Sequence, residues 1–327
     1  WRRFSRASPL RGLMALRSLR FGIQTPPQLT SWGSLKRIWQ LGEVLGFHTA
    51  WVFDHFFPIF ADPGGPCLEA WTTLSALAAH TQRMQVGVLV TGNTYRHPAL
   101  LANMAVSVDH VSGGRLILGL GAAWFEQEHR AYGIPFPPRG ERIRRLDESL
   151  ALLKLLWTEE RVTFKGRYYE LRDAYCEPKP LQRPHPPIMV GGGGERMTLR
   201  VVARHADQWN TFGSPETFKK KIALLEEHCR EIGRDPDTIE KSVLLQLKLT
   251  ADHPEAERFL TSFAESRGLP LEEARGRFLA GPAEAIRRQV QAYVDAGVTH
   301  FILTLYAPYD EDGLRRFAER VIPAFAS

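Results

Sequence analysis

Hydrophobic residues follow two patterns that alternate along the chain. Short apolar runs typical of buried strands occur at 19–24, 49–53 and 85–90, and segments with apolar residues at helical spacing lie between them, at 34–45 and 69–80. The alternation continues almost to the C-terminus and predicts about eight strands, nearly all separated by helices. Further strands are predicted at 115–120, 187–190, 207–209, 242–249 and 299–305, and further helices at 98–111, 141–157, 196–205, 215–230, 282–296 and 310–324.

This order of elements indicates parallel strands joined by helical crossovers, because a tight turn can only join antiparallel strands. Eight such units in about 300 residues favour a closed (β/α)8 barrel, the TIM barrel of α/β proteins, over an open doubly wound sheet. An insertion is expected after the fourth strand, where an aromatic- and proline-rich loop at 121–140 and a small hairpin at 162–171 interrupt the alternation. Residues 268–277 are expected to form an irregular or helical excursion within the same domain.

The composition is that of an ordinary globular protein, with 44% hydrophobic and 24% charged residues. The chain lacks a continuous apolar run of about 18 residues, so we expect neither a transmembrane helix nor a membrane partner. Its three cysteines, Cys67, Cys176 and Cys229, lie far apart in the sequence. This argues for a reducing, cytoplasmic location and against a disulfide framework or a zinc site.

The formal net charge of +6 is confined to the start of the chain, and basic and acidic residues balance from residue 21 onward. A nucleic-acid partner is therefore not expected. The first 20 residues hold no acidic residue and six arginines: Arg2, Arg3, Arg6, Arg11, Arg17 and Arg20. We expect 1–18 to be a disordered extension or an over-long reading frame with Met14 as the true start, with a transit peptide as the alternative, and 19–327 to form the barrel domain.

Polar or glycine-rich residues follow most of the predicted strands, where a parallel barrel carries its active-site loops. Asp54 and His55 come directly after the second strand. Histidine gives and takes protons most easily near neutral pH, and a nearby carboxylate can fix its tautomer or contact a cofactor. The alternative is a histidine that is hydrogen-bonded for structural reasons. Because the chain has no His-Glu-x-x-His pattern, we expect no catalytic metal.

A glycine-rich segment follows the fifth predicted strand and consists of Gly191, Gly192, Gly193 and Gly194. Glycines allow the backbone to approach an anion closely, and a following helix would direct free N–H groups towards it. The spacing matches neither a nucleoside-triphosphate loop nor a dinucleotide fingerprint. We therefore predict a phosphate site, with a flexible tight turn as the alternative.

A third group of residues follows the fourth predicted strand. Trp124 and Phe125 are suited to walling a planar ring, and Glu126 or Glu128 to acting as an acid. The alternative is a loop that packs its own aromatic residues. Arg96, at the start of a predicted helix, is expected to be solvated.

As an ordered set, several motifs resemble the luciferase-like superfamily, and more narrowly its branch of F420-dependent oxidoreductases. The residues that carry this resemblance are 21–23, 51–56, 88–98, 113–121, 178–180 and 188–194.

The resemblance implies a (β/α)8 barrel, a homodimer, and reduced F420 or FMN bound in the barrel mouth. It implies that Asp54 and His55 meet the cofactor ring and that the glycine segment 191–194 holds the phosphate. It also implies a non-proline cis peptide near Val88 and Leu89 behind the ring, with Thr91 in the same cofactor site.

One position departs from the pattern that the resemblance implies. In the sugar-phosphate dehydrogenases of this superfamily, a glutamate soon after the fourth strand acts as the acid. This chain has Trp124 at that position. Glu126 or Glu128 would have to substitute, which puts a sugar-phosphate substrate in doubt.

The predicted function is F420-dependent hydride transfer to or from a small organic molecule, with His55 as the acid or base. Two alternatives stay open: an FMN-dependent monooxygenase and a non-catalytic flavin-binding barrel.

Overall fold

The structure, a computed structural model, describes residues 19–326, so the expectations for the extension 1–18 lie outside the described residues. Twelve strands occur in this part of the chain. In chain order they are β1 (Arg20–Gln24), β2 (Thr49–Val52), β3 (Gln85–Val88), β4 (Thr91–Gly92), β5 (Leu116–Gly121), β6 (Val162–Lys165), β7 (Glu170–Ala174), β8 (Ile188–Gly191), β9 (Gln208–Thr211), β10 (Glu240–Leu249), β11 (Phe278–Gly281) and β12 (His300–Thr304).

Eight parallel strands close into a barrel in the order β1, β2, β3, β5, β8, β9, β10 and β12. Closure follows from the pairing of β1 with β12, in which Gln24 is in register with Thr304, and from the pairing of β9 with β10. This confirms the predicted (β/α)8 fold. The carboxyl ends of all eight strands therefore open at one face, the mouth of the barrel.

Helices cover the outside of the barrel, and most of them connect one barrel strand to the next. They are α1 (Trp32–Val44), α2 (Ala70–Ala79), α3 (Pro98–Ser112), α4 (Glu126–Ala131), α5 (Arg139–Thr158), α6 (Thr198–His205), α7 (Pro215–Glu231), α8 (His253–Arg267), α9 (Leu271–Arg275), α10 (Ala283–Asp295) and α11 (Glu311–Arg320). Their apolar faces bury large side chains such as Trp39, Leu74, Trp157 and Phe218 against the outer faces of the strands.

The interior of the barrel is a packed core and not a pore. Trp51, Leu89, Ile117, Met189 and Ile302 form a separate apolar cluster that is almost completely buried. Each comes from a different strand or strand end, as expected when side chains alternate between the inside and the outside of a barrel.

A charged network lies at the opposite, N-terminal end of the barrel. Arg20 Nη1 is 3.0 Å from Glu240 Oε2, and His300 Nδ1 is 3.3 Å from the same oxygen. His300 Nε2 lies 2.9 Å from Thr49 Oγ1. Arg20, one of the six arginines among the first 20 residues, therefore belongs to β1 and links this strand to β10 through Glu240.

The insertion after the fourth barrel strand is present as predicted. It contains α4, α5 and the antiparallel hairpin of β6 and β7, in which Lys165 is in register with Glu170. A second addition was predicted only in part: α9 lies within the excursion expected at 268–277, whereas α8 and strand β11 were not predicted. Strand β11 pairs with the upper half of β10, with Gln246 opposite Phe278, and α8 and α9 precede it. A four-residue strand between helices carries too short an apolar pattern to be distinguished in the sequence.

Among residues 19–326, no helix is both long enough and apolar enough to cross a membrane.

Candidate active site

The centre of the site is a hydrogen-bonded pair formed by His55 and Glu128. His55 lies three residues beyond β2, and Glu128 lies on α4 after β5, so two barrel loops bring them together. His55 Nδ1 is 3.0 Å from Glu128 Oε2. Glu128 is completely buried and also accepts the Phe56 backbone N–H and the Tyr95 hydroxyl, the latter at 2.5 Å.

The electrostatics of Glu128 determine the state of the histidine. Burial alone would raise the pKa of Glu128, but the hydrogen bonds from His55, Phe56 and Tyr95 lower it below its ordinary value. An ionised carboxylate only accepts hydrogen bonds, so Nδ1 of His55 must carry the donated hydrogen. Burial and the Glu128 carboxylate raise the pKa of Tyr95, so its hydroxyl stays protonated and acts as a donor.

Asp54 is buried beside this pair, but both of its carboxylate oxygens are bound by another residue. Arg96 donates to them at 2.6 and 3.2 Å and also contacts Glu69 at 2.6 Å. Burial raises the pKa of Asp54, and the Arg96 charge opposes this. The expectation that Arg96 is solvated is wrong, since its side chain is largely buried between the two carboxylates. It ties the loop after β2 to the start of α3.

Aromatic rings surround His55. The centroid of Phe53 lies 4.8 Å from the imidazole, and Phe125 and Trp124 approach edge-on at 5.7 and 5.8 Å. Of the two candidate acids, Glu126 is half exposed and pairs with Arg130 at 2.7 Å. Positions 126 and 128 are separated by about 200° around a helix, so only one of them can face the barrel, and here it is Glu128.

Cys67 also lies next to the histidine, with Sγ 3.4 Å from the His55 carbonyl oxygen. Burial, together with the nearby Glu128 and Asp54 carboxylates, raises the pKa of Cys67 to about 12. The residue is therefore a neutral thiol and not a nucleophile.

The end of the third barrel strand contains the expected cis peptide, displaced by one bond. It joins Leu89 to Val90 rather than Val88 to Leu89. Strand β3 ends at Val88, whereas the sequence predicted a strand to residue 90. The Gln24 side-chain amide donates to the Leu89 carbonyl at 2.8 Å. Thr91 is buried, and its hydroxyl accepts the Trp71 indole N–H at 3.0 Å.

The glycine segment lies at the end of β8, on the same rim. A Cβ on Gly191 would come within 2.8 Å of the Val90 side chain, and one on Gly193 within 2.7 Å of Thr211 Oγ1. Gly192 has a φ of 124°, which a side chain would strain. Helix α6 begins at Thr198 rather than at the predicted residue 196, so a short turn separates the glycines from the helix.

Two cations lie beside these glycines. Lys221 on α7 donates to the Gly193 carbonyl, and its Nζ would be 3.0 Å from a Cβ on that residue. An Arg139 guanidinium nitrogen would be 3.1 Å from a Cβ on Gly194. Lys221 Nζ also lies 3.7 Å from Glu195 Oε1. A backbone segment without side chains of its own and with two adjacent cations suits a phosphate or another anion.

The histidine and the glycine segment share the mouth of the barrel. From β2 to β8 there are three steps around the rim, through β3 and β5, which corresponds to about 14 Å at the usual strand spacing. A single elongated ligand with a ring at one end and a phosphate at the other can therefore reach both.

Residues 14–268 match the family model described as luciferase-like monooxygenase. The chain belongs to this family. It is 30% identical over 331 residues to an F420-dependent glucose-6-phosphate dehydrogenase of Microbacterium testaceum, covering 93% of this chain and 97% of the relative. It is 31% identical over 268 residues to an FMNH2-dependent dimethylsulfone monooxygenase of Pseudomonas putida, covering 78% and 69%.

The fold of this luciferase-like chain is similar to that of an F420-dependent secondary alcohol dehydrogenase solved in complex with an F420-acetone adduct. The TM-score is 0.85 at 23% sequence identity, over 95% of this chain and all of the other. At this identity the similarity shows the fold alone. The family and the barrel that were expected from the sequence are confirmed.

Sequence reasoning missed several residues that the structure places at the candidate site. Glu128 was named only as an alternative, and Tyr95, Arg139 and Lys221 were not singled out. Lys221 follows two other lysines on α7, and nothing in that run distinguishes the one that turns towards the glycines. A hydrophobic pattern shows which side of a helix is buried, but not which long polar side chain reaches a distant loop.

Proposed function

We propose that this protein is an F420-dependent oxidoreductase that transfers hydride between the deazaflavin and a small organic substrate. The observation that carries the proposal is the arrangement of a carboxylate-held histidine and a cationic glycine cradle on one barrel rim. A relative that matches nearly the whole chain is named as an F420-dependent enzyme, which supports the proposal.

The residues present fit such a cofactor. The backbone at 191–194 carries no side chain, and a Cβ on Gly191, Gly193 or Gly194 would collide with a neighbouring side chain. Lys221 and Arg139 lie beside this backbone and supply charges for an anionic tail. The Leu89–Val90 peptide, held by Gln24, would support the ring. When bound, the deazaflavin supplies a carbon that gives or accepts hydride.

The remaining chemistry is assigned to His55. Glu128 holds Nδ1, and within residues 19–326 the structure shows no hydrogen-bond partner for Nε2. That nitrogen would exchange a proton with the substrate oxygen, while the ionised Glu128 stabilises the imidazolium that results. Phe53, Phe125 and Trp124 cover the ring and keep bulk water away from it.

A cofactor titration tests the proposal. We expect the purified protein to bind F420 more tightly than FMN, as measured by the change in absorption or fluorescence of each. Lys221→Ala should weaken F420 binding by about tenfold, because it removes one charge-assisted contact. Lys219→Ala is the matched control, since Lys219 is exposed on the same helix.

The second candidate is an FMN-dependent monooxygenase, which the similarity to the Pseudomonas putida enzyme favours. Micromolar binding of FMN without binding of F420 would reject the F420 proposal. Consumption of oxygen in the presence of reduced FMN would then support the monooxygenase. Binding of either cofactor with turnover unaffected by His55→Ala would instead indicate a barrel in which His55 has no chemical role.

A further inference from the structure

Large apolar side chains are exposed around the mouth of the barrel. Five different strand-end loops each present one, with exposed fractions between 44% and 70%: Leu29 after β1, Phe60 after β2, Trp124 after β5, Phe212 after β9 and Tyr306 after β12. Exposed apolar residues that are scattered singly need no explanation, whereas a group of them around one opening marks a binding surface.

Two of these side chains form a wall that leads from solvent to the histidine. The rings of Phe60 and Trp124 are stacked, with centroids 5.9 Å apart and planes 25° apart. Trp124 in turn meets the imidazole of His55 edge-on at 5.8 Å. A molecule lying against the Phe60–Trp124 pair would therefore reach the residue to which we assign the proton.

The backbone that carries the wall adopts an uncommon conformation. Phe60 has a φ of 60°, Ala123, next to Trp124, has a φ of 59°, and Leu29 on the neighbouring loop has a φ of 52°. The left-handed region is unfavourable for residues with a side chain, and such residues cluster at ligand-binding sites. The aromatic pair is thus held in place at some conformational cost.

Three acidic groups next to the wall are paired, and a fourth, Asp62, accepts the Gly64 backbone N–H at 2.9 Å within its own loop. Glu128 is bound by His55 and Tyr95, Asp54 by Arg96, and Glu126 turns away to Arg130. The surface that Phe60 and Trp124 present beside His55 is therefore apolar and planar, and it is suited to a ring.

We propose that Phe60 and Trp124 are the substrate-specificity element and that the substrate is an apolar, ring-bearing ketone or the corresponding secondary alcohol. This rests on the proposed function. In the direction of reduction, the carbonyl carbon gains a hydride from the reduced deazaflavin, which is oxidised by two electrons. The C–O π bond breaks, and the oxygen takes the proton from His55.

The test compares acetophenone with acetone and with glucose 6-phosphate. Oxidation of reduced F420 is followed with the two ketones, and reduction of F420 with the sugar phosphate. We expect kcat/KM for acetophenone to exceed that for acetone by about tenfold or more. Phe60→Ala should lower kcat/KM for acetophenone by about tenfold, mainly through KM, with little change for acetone. Trp124→Ala also uncovers His55, so it should lower kcat/KM for both ketones, and more strongly for acetophenone.

Two controls separate this inference from the cofactor proposal. Tyr175→Ala removes another exposed aromatic side chain, on the insertion beside Arg161. It should leave kcat/KM for all three substrates unchanged. Affinity for F420 should be the same in all variants, and sedimentation should show that none of them changes its oligomeric state.

Three outcomes would overturn the inference. They are a higher kcat/KM for glucose 6-phosphate than for acetophenone, an equal loss of kcat/KM for both ketones in Phe60→Ala and Trp124→Ala, and F420-loaded protein that neither binds nor converts acetophenone. In each case the F420 function would stand, because F420 affinity is measured independently. Failure to bind F420 would instead remove the proposed function itself.

Discussion

Contacts with neighbouring residues distinguish His55 from two other buried histidines, His129 and His300. His129 has both ring nitrogens engaged, by Thr94 at 2.6 Å and by the Phe125 carbonyl at 2.8 Å. His300 lies between Thr49 and Glu240 at the closed end of the barrel. His55 is held at one nitrogen only and lies at the open end, which is why we assign the proposed proton transfer to it.

At this scale we predict the effect of neutralising Glu128. Glu128→Gln keeps the shape of the side chain but removes the charge that would stabilise a protonated His55. We expect kcat to fall by about a hundredfold, with F420 affinity and KM nearly unchanged. Steady-state kinetics with F420 and the best available substrate measure this.

Glu126→Gln provides the matched control, because Glu126 lies on the same helix but is half exposed and pairs only with Arg130. It should retain full activity. A loss of F420 affinity in Glu128→Gln that matched its loss of kcat would show that Glu128 only supports the loop.

Sequence reasoning identified the residue types at this scale but not their contacts. His55 and Asp54 were recognised because both follow a strand. Their partners, Glu128 and Arg96, are 73 and 42 positions away along the chain, and only the closed barrel brings them together. The choice between Glu126 and Glu128 depended on the rotation of a six-residue helix, which its sequence does not set.

At the scale of elements, the glycine segment combines a strand end, a turn and a neighbouring helix into one cradle. Glycine is required at position 193 because a Cβ there would collide with Thr211 Oγ1 and approach Lys221 Nζ. Lys221 reaches it from α7, so the cradle depends on how two successive β/α units pack.

We predict that Gly193→Ala weakens F420 binding by about tenfold or more while the protein still folds. The added methyl group would displace Lys221 Nζ or the Thr211 hydroxyl, and so would disturb the anion site. The measurement is the F420 titration, accompanied by a thermal melt.

Gly33→Ala is the control for this substitution. A Cβ on Gly33 would meet only Ser31 Oγ, at 3.9 Å, on helix α1 away from the cradle. Unchanged F420 affinity in Gly193→Ala would show that the cofactor phosphate binds elsewhere.

Long elements with strong periodicity were predicted well, and short ones were not. The pattern of α5, with Leu146, Leu150 and Leu153 on one buried face, was clear in the sequence. Strand β11, with four residues, was missed, and the cis peptide was placed one bond too early. Strand β11 is defined by its pairing with β10, which local preference does not record.

At the scale of the whole molecule, the two ends of the barrel have different roles. The mouth carries the candidate chemistry, whereas the N-terminal end is closed by the network of Arg20, Glu240, His300 and Thr49. This separation of roles allows the loops at the mouth to vary without loss of the barrel.

We predict a pH-dependent stabilisation by Glu240. Burial would raise its pKa, but His300 and Arg20 lower it to about 2 from an ordinary value of 4.5. A depressed carboxyl pKa stabilises the folded state above the ordinary value, and this is lost as the pH falls towards 2. Glu240→Gln should therefore reduce the free energy of unfolding by up to about 3 kcal/mol at pH 7.

Urea unfolding between pH 7 and pH 2.5 measures this difference, which should narrow below pH 4.5. Glu170→Gln, at an exposed ion pair with Arg172, should show almost no effect at any pH. If the difference in the free energy of unfolding between Glu240→Gln and the parent protein stayed constant with pH, the stabilisation by Glu240 would not be ionic.

The sequence by itself determined the closed barrel, the position of its insertion and the strand ends on which chemistry could occur. These follow from periodicity and order, because apolar spacing selects helices or strands and alternation selects parallel pairing. Only the tertiary structure decided which distant side chains meet: Glu128 with His55, Arg96 with Asp54, Lys221 with the glycines and Phe60 with Trp124. Such contacts depend on the direction of single side chains across loops, and no local pattern in the chain encodes that direction.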